Sequence, residues 1–451
     1  MRKKQIGLLC ALAAVGLLGA TQAVPNPFTA ADPGVRGGPA GAGGPIAGLN
    51  AGELAFFNAG RDDFAEAEGV GDGLGPRFNL DSCAGCHSQP AIGGTSPAVN
   101  PQVGVAAAFG ARNTVPSFIT TNGPVREARF VLKPDGTPDG GVHALFVISG
   151  RVDPTGNASG CGITQDAFET QVARNNVIFR IPTPAFGTGL IEQIPDRVIT
   201  ANLTANAAAK QVLGISGRPN RNGNDGTITR FGWKAQNKSL LLFSGEAYNV
   251  EMGISNELFQ NERDETPSCQ FATVPNDVTA TGAAGGADTI SAIEKFAFFM
   301  RFLAPAAPSA TAPGGPVSIG QGRQIFTQIG CALCHTPTLK TGDSTVVALA
   351  NRDVNLYSDL LLHQMGPGLA DGVSQGLAAG DEFRTAPLWG LGQRIFFLHD
   401  GRTKDLSDAI RAHRSLGNGK FGPSEANAVV DKFKNLSEPD KQNLLNFLRS
   451  L

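Results

Sequence analysis

The chain of 451 residues carries 37 Lys and Arg against 39 Asp and Glu, and a net charge of -2 gives no reason to expect nucleic acid or an anionic membrane surface as partner. Its length allows two or three domains with a substantial core, so size does not call for a disulfide scaffold. Glycine at 58 residues and proline at 29 exceed ordinary usage and predict much loop, as in chains that wrap cofactors.

At the amino terminus Arg2, Lys3 and Lys4 form a basic region, Ile6 to Ala20 an apolar one, and Thr21-Gln22-Ala23 a small-residue cleavage site. This pattern predicts a signal peptide over 1–23 and export to the periplasm. A retained anchor is the competing reading, but the apolar run is shorter than the ~20 residues a span requires. Residues 24–48, with Gly37-Gly38-Pro39 and Gly43-Gly44-Pro45, lack an apolar period and read as a flexible leader. Folding is expected to begin near Leu49, with Leu54, Phe57 and Phe64 at helical spacing in a segment running to about Ala67.

A turn over Gly71 to Gly75 leads into Cys83-Ala84-Gly85-Cys86-His87, and Cys331-Ala332-Leu333-Cys334-His335 repeats the pattern. A C-x-x-C-H run reads as a c-type haem attachment site: each thiol adds across a haem vinyl group, and the adjoining imidazole reaches the iron. A redox dithiol or half a zinc site is the alternative for one copy; a histidine following both copies weighs against it. Gly60-Arg61 followed by Phe64, and Gly322-Arg323 followed by Phe326, repeat a G-R-x-x-F signature ahead of each motif, a weak internal repeat.

Between the motifs, Arg129 to Leu132, His143 to Ile148, Val177 to Ile181 and Ser239 to Phe243 are short apolar runs that read as strands or extended segments. Helices are predicted at Gln165 to Arg174 and Asp288 to Phe302, and Ala304 to Pro316 reads as a linker. A helix is expected near Asp405, carrying Ile410 and His413, and another after Ser437-Glu438-Pro439-Asp440, which resembles a capping box. The expected fold is mainly α: an N-terminal c-type haem domain over 49–150, an intervening region with a few short strands over 151–303, a linker over 304–316 and a cytochrome c domain over 317–451. Cys161 and Cys269 are left over and, in an exported protein, are best read as a disulfide. The six histidines make a ligand census: His87 and His335 are proximal, leaving His143, His363, His399 and His413.

Gly75-Pro76-Arg77-Phe78-Asn79 ahead of the first motif, Gly93-Gly94 after it, Ile181-Pro182-Thr183-Pro184 and Gly189-Leu190-Ile191-Glu192 resemble the di-haem oxidoreductase family. The run from Phe383 through Arg384-Thr385-Ala386-Pro387-Leu388 to Phe397-Leu398-His399-Asp400-Gly401 resembles bacterial di-haem cytochrome c peroxidases and their relatives that oxidise tryptophan-derived cofactors. The resemblance implies two covalently attached haems, one relaying electrons and one reducing hydrogen peroxide, and a small donor protein such as a cytochrome c or cupredoxin. It also raises calcium between the halves, and a homodimer is left open. His413 stands where the peroxidases place a methionine ligand, which implies a bis-histidine haem at His335. His363 matches a histidine near the haem edge, Met365 is a fallback ligand, and His399 belongs to the turn or to a propionate; Arg384, Arg394 and Arg402 are candidates to pair with propionates, with an exposed basic residue as the ordinary alternative. The loop from Ser88 to Thr121 lacks the removable histidine of many peroxidases, so the His87 haem is open or is closed by a distant group such as His143. An open site wants an acid or base beside it, and Glu192 is the candidate. Trp233 and Trp389 are the candidate relays, although core packing is the commoner role.

Overall fold

The computed structural model describes residues 28–75, 77–110, 115–139, 148–160, 167–261 and 275–451. Among them the helices are α1 (Ala51–Ala65), α2 (Cys83–Cys86), α3 (Pro101–Ala108), α4 (Phe168–Ala173), α5 (Thr188–Glu192), α6 (Asp196–Thr204), α7 (Ala207–Leu213), α8 (Leu240–Met252), α9 (Ala292–Phe302), α10 (Gly315–Ile329), α11 (Leu406–Ala412), α12 (Asn427–Lys434) and α13 (Glu438–Ser450). Strand structure is limited to two-stranded antiparallel pairs, the longest joining Glu127–Phe130 to Val177–Arg180. The mainly helical expectation therefore holds. His143, Cys161 and Cys269 lie outside the described residues, and with them the disulfide.

Two helix crossings organise the chain. Where α1 meets α9, a Cβ on Gly60 would lie 2.1 Å from the Lys295 carbonyl oxygen; where α10 meets α13, one on Gly322 would lie 2.0 Å from that of Asn443. Only glycine permits such approach. One turn on, Phe64 packs on Phe299 at 5.0 Å and Phe326 on Phe447 at 5.5 Å between ring centroids. The G-R-x-x-F repeat is thus a repeated crossing, each beside a C-x-x-C-H motif. It also ties the first unit to a distant element, since α9, at the end of the intervening region over 151–303, packs on α1.

Two other expectations change. Ser239 to Phe243 is not extended: the Ser239 hydroxyl accepts the Leu242 N–H at 3.2 Å and caps α8. A short apolar run has the same appearance in a buried strand and a buried helix, and here the cap decides. From residue 28 onward the leader is not flexible but a strap. Ile46 N–H bonds the Phe302 carbonyl and Arg36 N–H that of Gly392, while Ala304 and Ala307 N–H groups bond Gly44 and Gly41. Asp32 and Arg449, both buried, pair at 2.7 Å through two parallel bonds. The strap ties the 304–316 linker down, because extended backbone with free N–H and carbonyl groups offers the same bonding edge as a strand.

Candidate functional site

Each motif lines its own cavity. Cys331 follows the end of α10, where Gly330 turns the chain with φ 105°, and with Cys334 and His335 it borders a cavity of about 230 Å³ walled by apolar side chains. His413 lines the same cavity from the end of α11, whose Leu406, Ala409 and Ile410 join it at three- and four-residue spacing. His335 Nδ1 donates to the Tyr357 carbonyl at 3.0 Å and His413 Nδ1 to the Ala409 carbonyl at 2.7 Å. Protons so placed leave each Nε2 lone pair for a metal. Withdrawal from water lowers both pKa values, His335 to about 4, so both rings are neutral as ligation requires. The α11 start is held twice: the Asp405 side chain accepts the Asp408 N–H at 2.9 Å, and Asp32 of the strap accepts that of Leu406 at 2.7 Å.

The remaining carboxy-terminal residues surround this cavity. His363 is held between Asp359, 2.9 Å from Nε2, and Glu425, 2.8 Å from Nδ1, with the Cys334 sulphur at 3.7 Å. Both ring nitrogens are thereby occupied and the ring is not placed as an iron ligand; burial opposes its charge, but Cys334 and Asp359 hold its pKa well above the ordinary value. Cys334, Asp359 and His363 are the one cluster of three or more His, Cys, Asp or Glu side chains with ligand atoms this close together among the described residues, and it is not the all-oxygen set calcium takes. His399 stacks on Phe383 at 4.4 Å, and its carbonyl accepts the Ile181 N–H. Met365 also lines the cavity. Arg384 and Arg394 line it as well, are buried, and form no ion pair with a carboxylate among the described residues; burial pulls each to about 10. Two buried guanidiniums without counter-ions suit an anion in the cavity, as haem propionates are. Arg402 instead pairs with Asp400 at 2.7 Å.

The first motif's cavity is different. Cys83, Cys86 and His87 line it, His87 Nδ1 donates to the Gly94 carbonyl at 2.9 Å, and burial lowers the ring to about 4. No second histidine lines it among the described residues. One wall is a stripe of α8, Ser244, Ala247, Tyr248, Glu251 and Met252, at three- and four-residue spacing. Another is polar: Arg126, Glu127, Arg129, Arg180 and Asn79, the last with neither amide atom bonded. Glu127 and Arg129 pair at 2.6 Å, and Arg180 pairs with Asp371 at 2.8 Å. Burial, then Glu127, push the Glu251 carboxyl up to about 8 against the pull of Arg129. Each cavity therefore fits a haem: two cysteines, a neutral imidazole whose Nδ1 is held by a backbone carbonyl, and guanidinium groups at the wall.

Glu192 is not in this arrangement. Its oxygens accept the Leu240 N–H at 2.9 Å and the Arg301 Nε at 2.8 Å, and it lines neither cavity. As the last residue of α5, set against the first turn of α8, it serves the positive end of that helix. The residues that line the cavity in its stead, Tyr248 and Glu251, were hidden by reading Ser239 to Phe243 as extended. The signal was present in the stripe from Ser244 to Met252. Trp233 lines both cavities, with its indole N–H on the Ile181 carbonyl at 3.0 Å, whereas Trp389 lines only a smaller gap between them.

A family model described as "Di-haem oxidoreductase, putative peroxidase" matches residues 131–451, which take in the second motif. No curated protein matches the sequence. Solved structures that resemble part of the chain include a MauG-like protein associated with microbial copper homeostasis, at 16% identity over 60% of this chain and 90% of that one, TM-score 0.31. The diheme peroxidase BthA from Burkholderia thailandensis E264 resembles it at 15% identity over 49% and 65%, TM-score 0.30. Kuenenia stuttgartiensis hydrazine synthase does so at 15% over 46% and 60%, TM-score 0.25. No helix among the described residues is long and apolar enough to cross a membrane.

Proposed function

From the premise that the chain belongs to the di-haem oxidoreductase family, we propose that it is a periplasmic enzyme with two covalently attached c-type haems that reduces hydrogen peroxide in the His87 cavity. Electrons come from a small donor protein, a cytochrome c or cupredoxin, by way of the His335 side. In this reading Cys83 and Cys86, and Cys331 and Cys334, are the attachment residues; His87 and His335 are proximal ligands, His413 is the second ligand at the His335 site, and the two motif-bearing units are cytochrome c domains. Haem bound at these residues would supply one-electron chemistry and a site for a small oxidant. The observation that carries the reading is the unequal histidine count: His413 faces the His335 cavity, and no partner for His87 lines the other among the described residues.

The chain's own groups then divide the work. Glu251 takes the role first given to Glu192: it holds a proton up to about pH 8 at the cavity wall and moves it between the peroxide oxygens as their bond breaks. Trp233, common to both cavities, is the aromatic group between them. Electron paramagnetic resonance of the oxidised holoprotein is expected to show one high-spin and one low-spin haem, with peroxide altering the high-spin signal and turnover with a reduced small cytochrome c. Two low-spin signals indifferent to peroxide would replace the reading with a plain electron carrier. A peroxide-sensitive site without turnover would point to an organic substrate.

A further inference from the structure

The chain contains two tyrosines, and each stands behind a motif histidine, Tyr248 through two phenylalanines and Tyr357 through one. On the His87 side Phe64 meets the imidazole at 5.9 Å, Phe296 meets Phe64 at 6.0 Å and Tyr248 meets Phe296 at 5.1 Å, all edge to face. On the His335 side Phe326 meets the imidazole at 6.4 Å and Tyr357 meets Phe326 at 5.9 Å. The hydroxyl groups differ. Tyr248 is 4% exposed and donates its phenolic proton to Glu68 Oε1 at 2.7 Å, and Glu68 is itself 8% exposed.

An ordinary buried tyrosine finds any carbonyl for its hydroxyl, so this pairing invites the bland reading of a satisfied core group. Three features go beyond it. Tyr248 lies on the cavity-lining stripe of α8, and the next turn brings Met252 Sδ to 4.0 Å from the Cys83 sulphur, so the ring sits at the edge of the site. Its partner is a carboxylate, which can accept the proton outright. Burial, offset by Tyr248 and reinforced by Glu66, Asp72 and Asp63, holds Glu68 at about 7, so it can both take and release a proton near neutrality.

We propose that Tyr248 and Glu68 form a proton-coupled redox relay that supplies one of the two electrons used to reduce hydrogen peroxide in the His87 cavity. This rests on the peroxidase reading. The phenol loses one electron to the His87 site, which has been oxidised by peroxide; its O–H bond breaks, the proton passes to a Glu68 oxygen, and a neutral tyrosyl radical remains. Peroxide is the oxidant: its O–O bond breaks, and with two electrons and two protons it becomes two waters. The donor protein later supplies two electrons, one to the radical and one to the His87 site; Glu68 returns its proton to the phenolic oxygen, and the two protons used to make the waters come from solvent. Removing the proton as the electron leaves avoids a phenol cation in an apolar wall, which makes the buried base the necessary partner.

The test is rapid-freeze electron paramagnetic resonance of the ferric holoprotein mixed with one equivalent of hydrogen peroxide, following haem and organic-radical signals together. A radical is expected whose hyperfine pattern narrows when the protein is grown with ring- and methylene-deuterated tyrosine. Tyr248→Phe should remove it, Tyr357→Phe should leave it, and Glu68→Gln should cut its yield by about tenfold or more. A haem response with no organic radical, a radical insensitive to tyrosine labelling, or one lost in Tyr357→Phe and kept in Tyr248→Phe overturns the relay while the peroxidase reading stands. A haem spectrum that peroxide does not change takes down both. The labelling arm uses the unaltered chain, so poor folding of a variant does not decide the outcome.

Discussion

The two cavities share a scaffold and differ in their walls. In both, a glycine-bearing helix crosses a later helix, a phenylalanine one turn on touches the motif histidine, and the histidine Nδ1 is held by a backbone carbonyl. The His335 cavity is lined by a second neutral histidine, His413. The His87 cavity is faced by a carboxyl with a raised pKa, a tyrosine on an internal base and an asparagine whose amide has no partner. The two cavities thus share a motif and differ in the helix on the wall: under the proposed function, α11 with His413 suits electron relay, and α8 with Tyr248 and Glu251 suits proton-coupled chemistry.

The largest expected effect comes from erasing the difference. His413→Ala should convert the low-spin haem signal to high-spin, leaving two open sites, and should abolish turnover with the protein donor while sparing the haem attachment seen by mass. A low-spin signal that survives would mean that another side chain, Met365 first, closes the His335 site. Next comes Glu251→Gln, for which the rate with peroxide should fall by about a hundredfold. The wild-type rate should also decline as pH rises through about 8, because the carboxyl is a proton donor only below that value, and the variant should lose that limb. The same shift has a stability consequence: the folded chain keeps a proton that the unfolded chain releases above about 4.5, so this group weakens the fold as pH rises between those values. The smallest effect tests the shared scaffold. Gly60→Ala and Gly322→Ala should each cost about 2 kcal/mol through overpacking, read as a lower melting temperature, with each change disturbing the absorption of its own haem first.

Much of this was legible in the sequence because attachment motifs are local. C-x-x-C-H fixes two thiols and an imidazole within five residues, and capping residues such as Ser437 announce the helix they begin. His413 could be found because a helix and a turn precede it in a recognisable order. Glu192 misled because a carboxylate's partner is a matter of tertiary placement: the groups that bind it, Leu240 and Arg301, are distant in the chain. The strap misled for a related reason. A stretch rich in glycine and proline has no apolar period whether it is free or laid along a neighbour, and tertiary contacts, the backbone bonds to Phe302 and Gly392 and the pair of Asp32 with Arg449, distinguish the two.

The crossing of α1 with α9 has a bearing on how the protein is made. The second motif and both helices that cross beside it lie within the last third of the chain, so that unit can close on contacts near in sequence. The first motif is synthesised early but gains its crossing helix only when α9 arrives, after all of the intervening chain. Closure over such a separation is slow, because the loop entropy is lost before the contact is gained. Cys83 and Cys86 thus stay accessible for longer as the chain folds than Cys331 and Cys334. The order of translation and the order of closure are opposite, and under the proposed function haem loading at the His87 site has the wider window.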